Sequence, residues 1–415
     1  CLPIFGHSNI IRTKNDFFLL LNARFIGKMV FNKKHSCGIF IDLRKAFDTL
    51  NHDILLSKLE HYGIRDVALR WFKSYLSDRR QYTFLNGINS QISTINCGVP
   101  QGSVLGPLLF LIYINDLPNI SNKLTFFLFA DDTNIFYEST SRVKLEKFLN
   151  KELRKLYTWL IVNRLALNID KTKFVEFHSF NKPINTFLKL RINKKPITRT
   201  NNIKYLGIIL DSSLSWKDHI NKISSKIKRV IGLMYKIRPY VFTKTLRMLY
   251  YSLIYPHLIY GIEVWGSACN TTINRVLILQ KRAVRVIAYK DKRQDDYSLP
   301  ASRPLFVNLK ILRINEIFKI YLSCFVYRCL KKLCMPQFHT WFVPTSLSQA
   351  LTRRSCTQGN VNIPHVRSTF CGLKSIKYLG SKIWNDLPRK IKLYETFPSF
   401  KLEIKKHIHN LNAQS

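Results

Sequence analysis

The sequence predicts an α+β protein, and three observations carry that prediction. GIFID, Gly38 to Asp42, is a short apolar run of strand type. QYTFLNGINSQISTIN holds an Asn86-Gly87 pair between two runs, the strongest short hairpin signal. SRVKLEKFLNKELRKLYTWLIVNRLALN repeats Leu145, Phe148, Leu149, Leu153, Leu156 and Leu160 at helical spacing. Strands and helices alternate, which excludes an all-helical first half.

The elements follow in order. After the GIFID strand, DTLNHDILLSKLEHYGI places Ile54, Leu55, Lys58, Leu59 and Tyr62 at helical spacing, and Gly63 stops the helix. DVALRWFKSYLSDR is a second helix with Asp66 placed to cap it. Past the hairpin, SVLGPLLFLIYINDLP is an apolar helix stopped at Pro118. LTFFLFADDTNIFYE sets Asp131 and Asp132 between two apolar strand-like runs. KTKFVEFHSF reads as a strand, and IKYLGIILDSSLSW as another that leads into a turn. From about residue 217 the chain turns to basic amphipathic helices: HINKISSKIKRVIGLMYKI, KTLRMLYYSLIYPHLIYGIEVWG and TINRVLILQKRAVRVIAY. Residues 290–310 read as a charged, proline-containing loop, RINEIFKIYLSCFVYRCLKKL resumes helix, 336–370 is irregular, and two helical patterns close the chain.

Composition narrows the function. The 415 residues are globular in makeup, with 46% hydrophobic and 22% charged, so disorder is excluded. Lys+Arg is 66 against Asp+Glu 25, a formal charge of +41. A globular chain this basic calls for a polyanionic partner, and nucleic acid is the commonest. No apolar run is long enough for a transmembrane helix, and CLPIFGHSNI is no secretory signal, so no membrane role is expected. Nine cysteines without a framework fit reduced thiols inside the cell. Cys324, Cys329 and Cys334, five apart each, fit no zinc pattern, and helix-packing cysteines are the expected reading.

The adjacent acids Asp131 and Asp132 admit two readings. They are good residues for a hairpin tip, or they are ligands for a hard divalent cation, which relieves the repulsion of two like charges. Asp42 ends the GIFID strand 89 residues upstream of Asp131. Three carboxylates on neighbouring strand ends suit a two-metal phosphoryl-transfer site; by pattern alone they are equally three unrelated surface acids.

FIDLRKAFD, GVPQGSVLGPLLFLIYINDLP, FADD, LNIDKTKFVEF and IKYLGIILD occur in that order. They resemble motifs A to E of reverse transcriptases from non-LTR, LINE-type retrotransposons, the jockey-like group in particular. The resemblance covers roughly residues 36 to 285, with Phe129 where many relatives have Tyr. It implies a right-hand polymerase palm with partial fingers, a mainly helical thumb and a helical C-terminal region.

The resemblance also implies roles. Asp42, Asp131 and Asp132 match the metal ligands for two Mg²⁺ ions, with Mn²⁺ able to replace them. The Leu43 carbonyl assists at the nucleotide, and Phe47 matches the ring that leaves no room for a 2′-hydroxyl. Gln101 and Gly102 match the pair lying against the incoming nucleotide and template. Lys171 matches the lysine proposed to protonate the leaving pyrophosphate. Tyr205, Leu206 and Gly207 match the primer grip. Lys222, Lys226, Arg229, Lys236 and Arg238, among Ile223, Ile227 and Met234, match a thumb helix that tracks a duplex.

The expected partners are an RNA template, a DNA primer or nicked target DNA, and deoxynucleoside triphosphates, in the nucleus and cytoplasm. The expected domains are a partial fingers segment at 1–35, the palm at 36–215, the thumb at 216–290 and a C-terminal region at 291–415. The first segment offers Arg12, Lys14 and Arg24 but not the fingers signature of relatives, and the chain opens on Cys1. The expectation is therefore the product of a 5′-truncated element. A catalytically inactive, nucleic-acid-binding remnant is the alternative to a working RNA-directed DNA polymerase.

Overall fold

The computed structural model describes residues 34–100, 102–178, 187–291, 302–345, 359–366 and 372–414. Arg12, Lys14, Arg24 and Gln101 lie outside them. The chain divides into two compact units, with a sequence boundary between Ile203 and Lys204.

The first unit is built on a five-stranded sheet. Its strands are β1 (His35–Ile41), β6 (Thr125–Phe129), β7 (Asp132–Ser139), β8 (Lys173–Phe177) and β11 (Thr198–Arg199). The order is β11-β8-β1-β7-β6, with β1 central. β1 runs antiparallel to both β7 and β8, and β11 joins β8 in parallel. One face is apolar at alternate positions: Cys37, Ile39 and Ile41 of β1, with Ile135 and Phe174, belong to the core. Against it pack α1 (His52–His61), α3 (Leu105–Ile114) and α4 (Arg142–Val162). The helical repeat read in α4 is its buried stripe, Leu145, Leu149, Leu153, Leu156 and Leu160.

The other face carries Phe40, Phe136 and Phe177. Phe40 meets Phe136 edge-on at 5.8 Å. Gly38 makes room for this cluster: a Cβ there would stand 2.6 Å from Phe136 Cε1 and 2.9 Å from Phe177 Cε2.

Beside the sheet lie α2 (Asp66–Leu76) and three short ladders. β9 (Arg191–Ile192) pairs with β10 (Lys195–Pro196), β2 (Arg79–Gln81) with β5 (Ser93–Ile95), and β3 (Phe84–Leu85) with β4 (Ile88–Asn89). The inner turn is Asn86-Gly87, with φ of 50° and 82°, the doubly left-handed pattern of a I′ hairpin. Two local readings are corrected. Asp66 does not cap α2: Arg65 holds the extended N-cap conformation, Asp66 is already the first helical residue, and no side chain accepts at that end. Pro118 does not itself stop α3, which ends at Ile114; it sits in the 3-10 turn Leu117–Ile120.

The second unit opens with a hairpin, β12 (Asn202–Tyr205) and β13 (Ile208–Asp211), and is otherwise helical. Asp211 fixes the entry to α5 (Lys217–Ile237): its carboxylate accepts from the Ser215 and Trp216 N–H groups, each at 2.8 Å. α5 packs on α9 (Asn270–Ile287), with Ile220, Ile223, Ile227 and Met234 buried. Between them in sequence lie α6 (Thr243–Leu249), α7 (Tyr255–Ile259) and α8 (Ile262–Trp265). Buried Gln280 ties this bundle onward, donating to the Tyr250 hydroxyl and accepting from Ile314 N–H. Later come α10 (Ser302–Asn308), α11 (Ile314–Leu330), α12 (Ile376–Asn385), α13 (Arg389–Lys392) and α14 (Phe397–Gln414). Cys324 and Cys329 are buried on α11, as packing residues should be, whereas Cys334 lies past the end of that helix and is half-buried. No helix among the described residues is long and apolar enough to cross a membrane.

Candidate active site

The acids lie at one end of the β1–β7 pair. The last residues matched there are Ile41 and Thr133. Asp42 follows Ile41 and Asp132 precedes Thr133, so both lie at this end of the pair. Asp132 alternates with Asn134 along β7 and so belongs to the face on which Asn134 pairs with Phe40. Asp131 occupies the two-residue loop between β6 and β7, where Phe129 pairs with Asp132. Ala130, the other loop residue, takes a left-handed φ of 50°. Positive φ at the first loop position alone is the II′ pattern, which turns tightly enough to place both aspartates at the strand end. Asp42 is half-buried, and Asp131 and Asp132 are exposed.

A second segment locks Asp42 by its backbone. Asp42 N–H donates to Thr172 Oγ1 at 3.3 Å, and its carbonyl accepts from Asn168 N–H at 2.9 Å. Thr172 Oγ1 in turn donates to the Asn168 carbonyl at 2.8 Å, and the residue is fully buried. Arg44 N–H donates to the Ala166 carbonyl, and Leu43 bridges to Leu167. The loop that carries exposed Lys171 is therefore fastened to the strand end that carries Asp42.

The third piece is the GVPQG loop. Gly98 N–H donates to the Leu50 carbonyl and Val99 N–H to the Phe47 carbonyl. Gly98 has φ of 83°, and a Cβ there would lie 2.7 Å from the Asp48 carbonyl oxygen, so only glycine fits this crossing. His52 Nε2 sits 2.8 Å from the Gly98 carbonyl. Phe47 is half-buried, its ring 4.9 Å from that of Phe110. Ser103 accepts from Gly106 N–H at 2.9 Å and starts α3, while exposed Gly102 has φ of 87°.

The Tyr205–Gly207 segment belongs to the second unit. Tyr205 is buried. Leu206 and Gly207, both with positive φ, form the hairpin tip, where the Tyr260 hydroxyl donates to the Leu206 carbonyl at 2.5 Å. On α5, Lys226, Arg229 and Lys236 are exposed, and Lys222 and Arg238 half-buried, opposite the buried Ile223, Ile227 and Met234.

The donor chemistry fits a hard cation. Asp42 and Asp131 offer carboxylate oxygens and form no salt bridge among the described residues, although the chain is rich in Lys and Arg. They are not gathered into a ready-made chelate: no group of three His, Cys, Asp or Glu among the described residues is so arranged.

Sequence reading passed over Asn168, Thr172, Gly98 and His52. Gly98 stood inside the quoted GVPQG motif, and its left-handed turn was the available signal. The other three act through partners far away in sequence and carried no local signal.

Residues 11–210 match the family described as reverse transcriptase (RNA-dependent DNA polymerase), so this segment of the chain belongs to the reverse transcriptase family. That match starts upstream of the first recognisable motif and includes most of the expected fingers segment. Within the family its relatives are the polymerases of non-LTR retrotransposons. It is 31% identical over 306 residues to a probable RNA-directed DNA polymerase from transposon BS of Drosophila melanogaster, covering 68% of this chain and 31% of that one. It is 29% identical over 266 residues to the RNA-directed DNA polymerase from mobile element jockey of Drosophila funebris, covering 62% and 29%. The chain thus spans about a third of the length of the curated relatives it matches. Among solved structures, apo telomerase from Candida tropicalis aligns with a TM-score of 0.38 and 13% identity over 80% of this chain and 55% of that one.

Proposed function

We propose that this chain extends a DNA 3′-hydroxyl on an RNA template, using deoxynucleoside triphosphates. The observation that supports the reading is that Asp42 follows the last residue of β1 and Asp131 and Asp132 stand at the start of its partner β7, at one end of the pair, inside the segment that matches the reverse transcriptase family. In the reaction the 3′-oxygen forms a bond to the α-phosphorus as the bond to pyrophosphate breaks. Asp42, Asp131 and Asp132 would hold two Mg²⁺ ions, which when bound favour the ionised hydroxyl and neutralise charge on the phosphates.

The protein's own groups do the rest. Thr172 and Asn168 hold Asp42 in place through its backbone. Phe47, braced on Phe110, fills the space beside the sugar and excludes a 2′-hydroxyl. Lys171 delivers a proton to the leaving pyrophosphate. Leu43, Gln101 and Gly102 line the nucleotide, and the Leu206-Gly207 tip grips the primer. In the parent element the primer is nicked target DNA, handled in the nucleus.

Primer extension on an RNA template tests the reading, with Asp131→Asn/Asp132→Asn beside the parent chain. The expected outcome is extension that requires Mg²⁺ and falls by at least about a thousandfold in the variant, the scale of losing a main electrostatic element. Absent extension by the parent chain, with template-primer still bound, would make it a binding remnant.

A further inference from the structure

From Gln81 to Asn115 the chain has no charged residue, although it carries 66 Lys and Arg in all. The first part of this stretch is the hairpin of the first unit, β2 with β5 and β3 with β4. Every residue from Gln81 to Thr94 is exposed. Among them Phe84, Leu85, Ile88 and Ile92 stand 66%, 69%, 73% and 66% in water. Leu85 and Ile88 are cross-strand partners and share one face, and Phe84, next to Leu85, belongs to the other. Neither face of the hairpin is covered.

This is a marginal arrangement for two strands by themselves. Such a pair needs a third strand or an apolar contact to hold in water. Neither ladder gains a third strand among the described residues. The residues that usually guard an open edge, lysine and proline, do not occur between Gln81 and Asn96. Charge identifies what can cover it. A polyanion seeks cations, and this face has none. Two copies of a chain at +41 repel one another over most of their surface, and a face without charge is where they can meet.

We propose that this hairpin is the contact through which two copies of the chain associate, their strands pairing edge to edge about a two-fold axis. Each hairpin then supplies the strand that the other lacks, and the apolar side chains of one cover those of its mate. The contact uses none of the palm carboxylates and stands apart from the polymerase reading.

Sedimentation velocity on the whole chain, treated with nuclease and run over about a hundredfold range of concentration in salt that screens the charge, tests this. The parent chain is expected to pass from monomer to dimer. Leu85→Thr/Ile88→Thr alters two exposed side chains and keeps strand-forming residues, so its circular dichroism should match the parent's. Its dimer dissociation constant is expected to rise at least about a hundredfold, because each apolar side chain is lost twice in a two-fold contact. Deuterium exchange at the amides of 81–94 should slow in the parent as dimer forms. A parent chain that stays monomeric, or a variant that dimerises as well as the parent, would overturn the proposal. So would a dimer seen only before nuclease treatment, which is two chains bridged by nucleic acid. Slow exchange already present in the monomer would also overturn it, by placing another segment of this chain on the hairpin. Asp131→Asn/Asp132→Asn should associate as the parent does, so this proposal and the polymerase reading fall separately.

Discussion

Thr172 shows how a residue with no chemistry of its own can govern one that has it. Its hydroxyl accepts from Asp42 N–H and donates to the Asn168 carbonyl, in a place water does not reach. Thr172→Val keeps the shape and strands the Asp42 N–H, at about 1–3 kcal/mol for a buried group left unpartnered, while the Asn168 carbonyl keeps the N–H of residue 172 at 3.0 Å. Urea unfolding should show that loss, and Thr172→Ser should recover most of it. If the latch also positions Asp42, the valine variant will lower kcat for extension while KM for the nucleotide holds. The aspartates themselves were legible from sequence because an acid at the end of an apolar run breaks a local pattern. Thr172 and Asn168 were not, since a threonine in NIDKTK looks the same whether or not its hydroxyl faces a strand end. Asp66 misled for a related reason: residue type favoured a cap, but the extended backbone a cap requires fell on Arg65.

Among the elements, β1 is the most constrained. Its core side needs Cys37, Ile39 and Ile41, and its other side needs Gly38 small enough for the Phe136 and Phe177 rings. Gly38→Ala is expected to destabilise by about 1–3 kcal/mol through overpacking, read by thermal or denaturant unfolding. Adding Phe136→Leu should return part of that loss, so the pair will be non-additive in a double-mutant cycle. The strand itself was readable from GIFID, as was the α4 stripe from its leucines and the Asn86-Gly87 turn from its dipeptide. The order β11-β8-β1-β7-β6 was not, because pairing between segments so far apart leaves no mark on either one. Gly38 likewise reads as a mere strand-weakening residue until the rings across from it are known.

For the whole molecule, acid should be damaging. His219 is buried in the second unit beside Trp265, its Nδ1 accepting from Ile209 N–H at 3.3 Å and its Nε2 without a partner. Burial, helped by Lys222 and Lys226 on the same helix, pushes its pKa down to about 4. The unfolded chain takes up that proton near the ordinary histidine value, and the folded chain only near 4. Between those values the unfolded state binds more protons, so stability is complete above about pH 6.5 and declines as pH drops, by up to about 3 kcal/mol. Urea midpoints measured from pH 7.5 down to pH 5 should show the decline, and His219→Gln should flatten it. The +41 charge, legible at once from composition, acts in the same direction, because protonating carboxylates deepens the self-repulsion.

The central place of β1 also sets a timetable for synthesis. β1 leaves the ribosome first among the described strands of its sheet, yet its partners are β7, ending at Ser139, and β8, ending at Phe177. Until both have emerged, an apolar strand waits with its two edges unpaired, and contacts this distant in sequence form slowly. A nascent chain that stalls before Phe177 therefore presents sticky strand edges and no finished sheet, which makes it a natural client for chaperones.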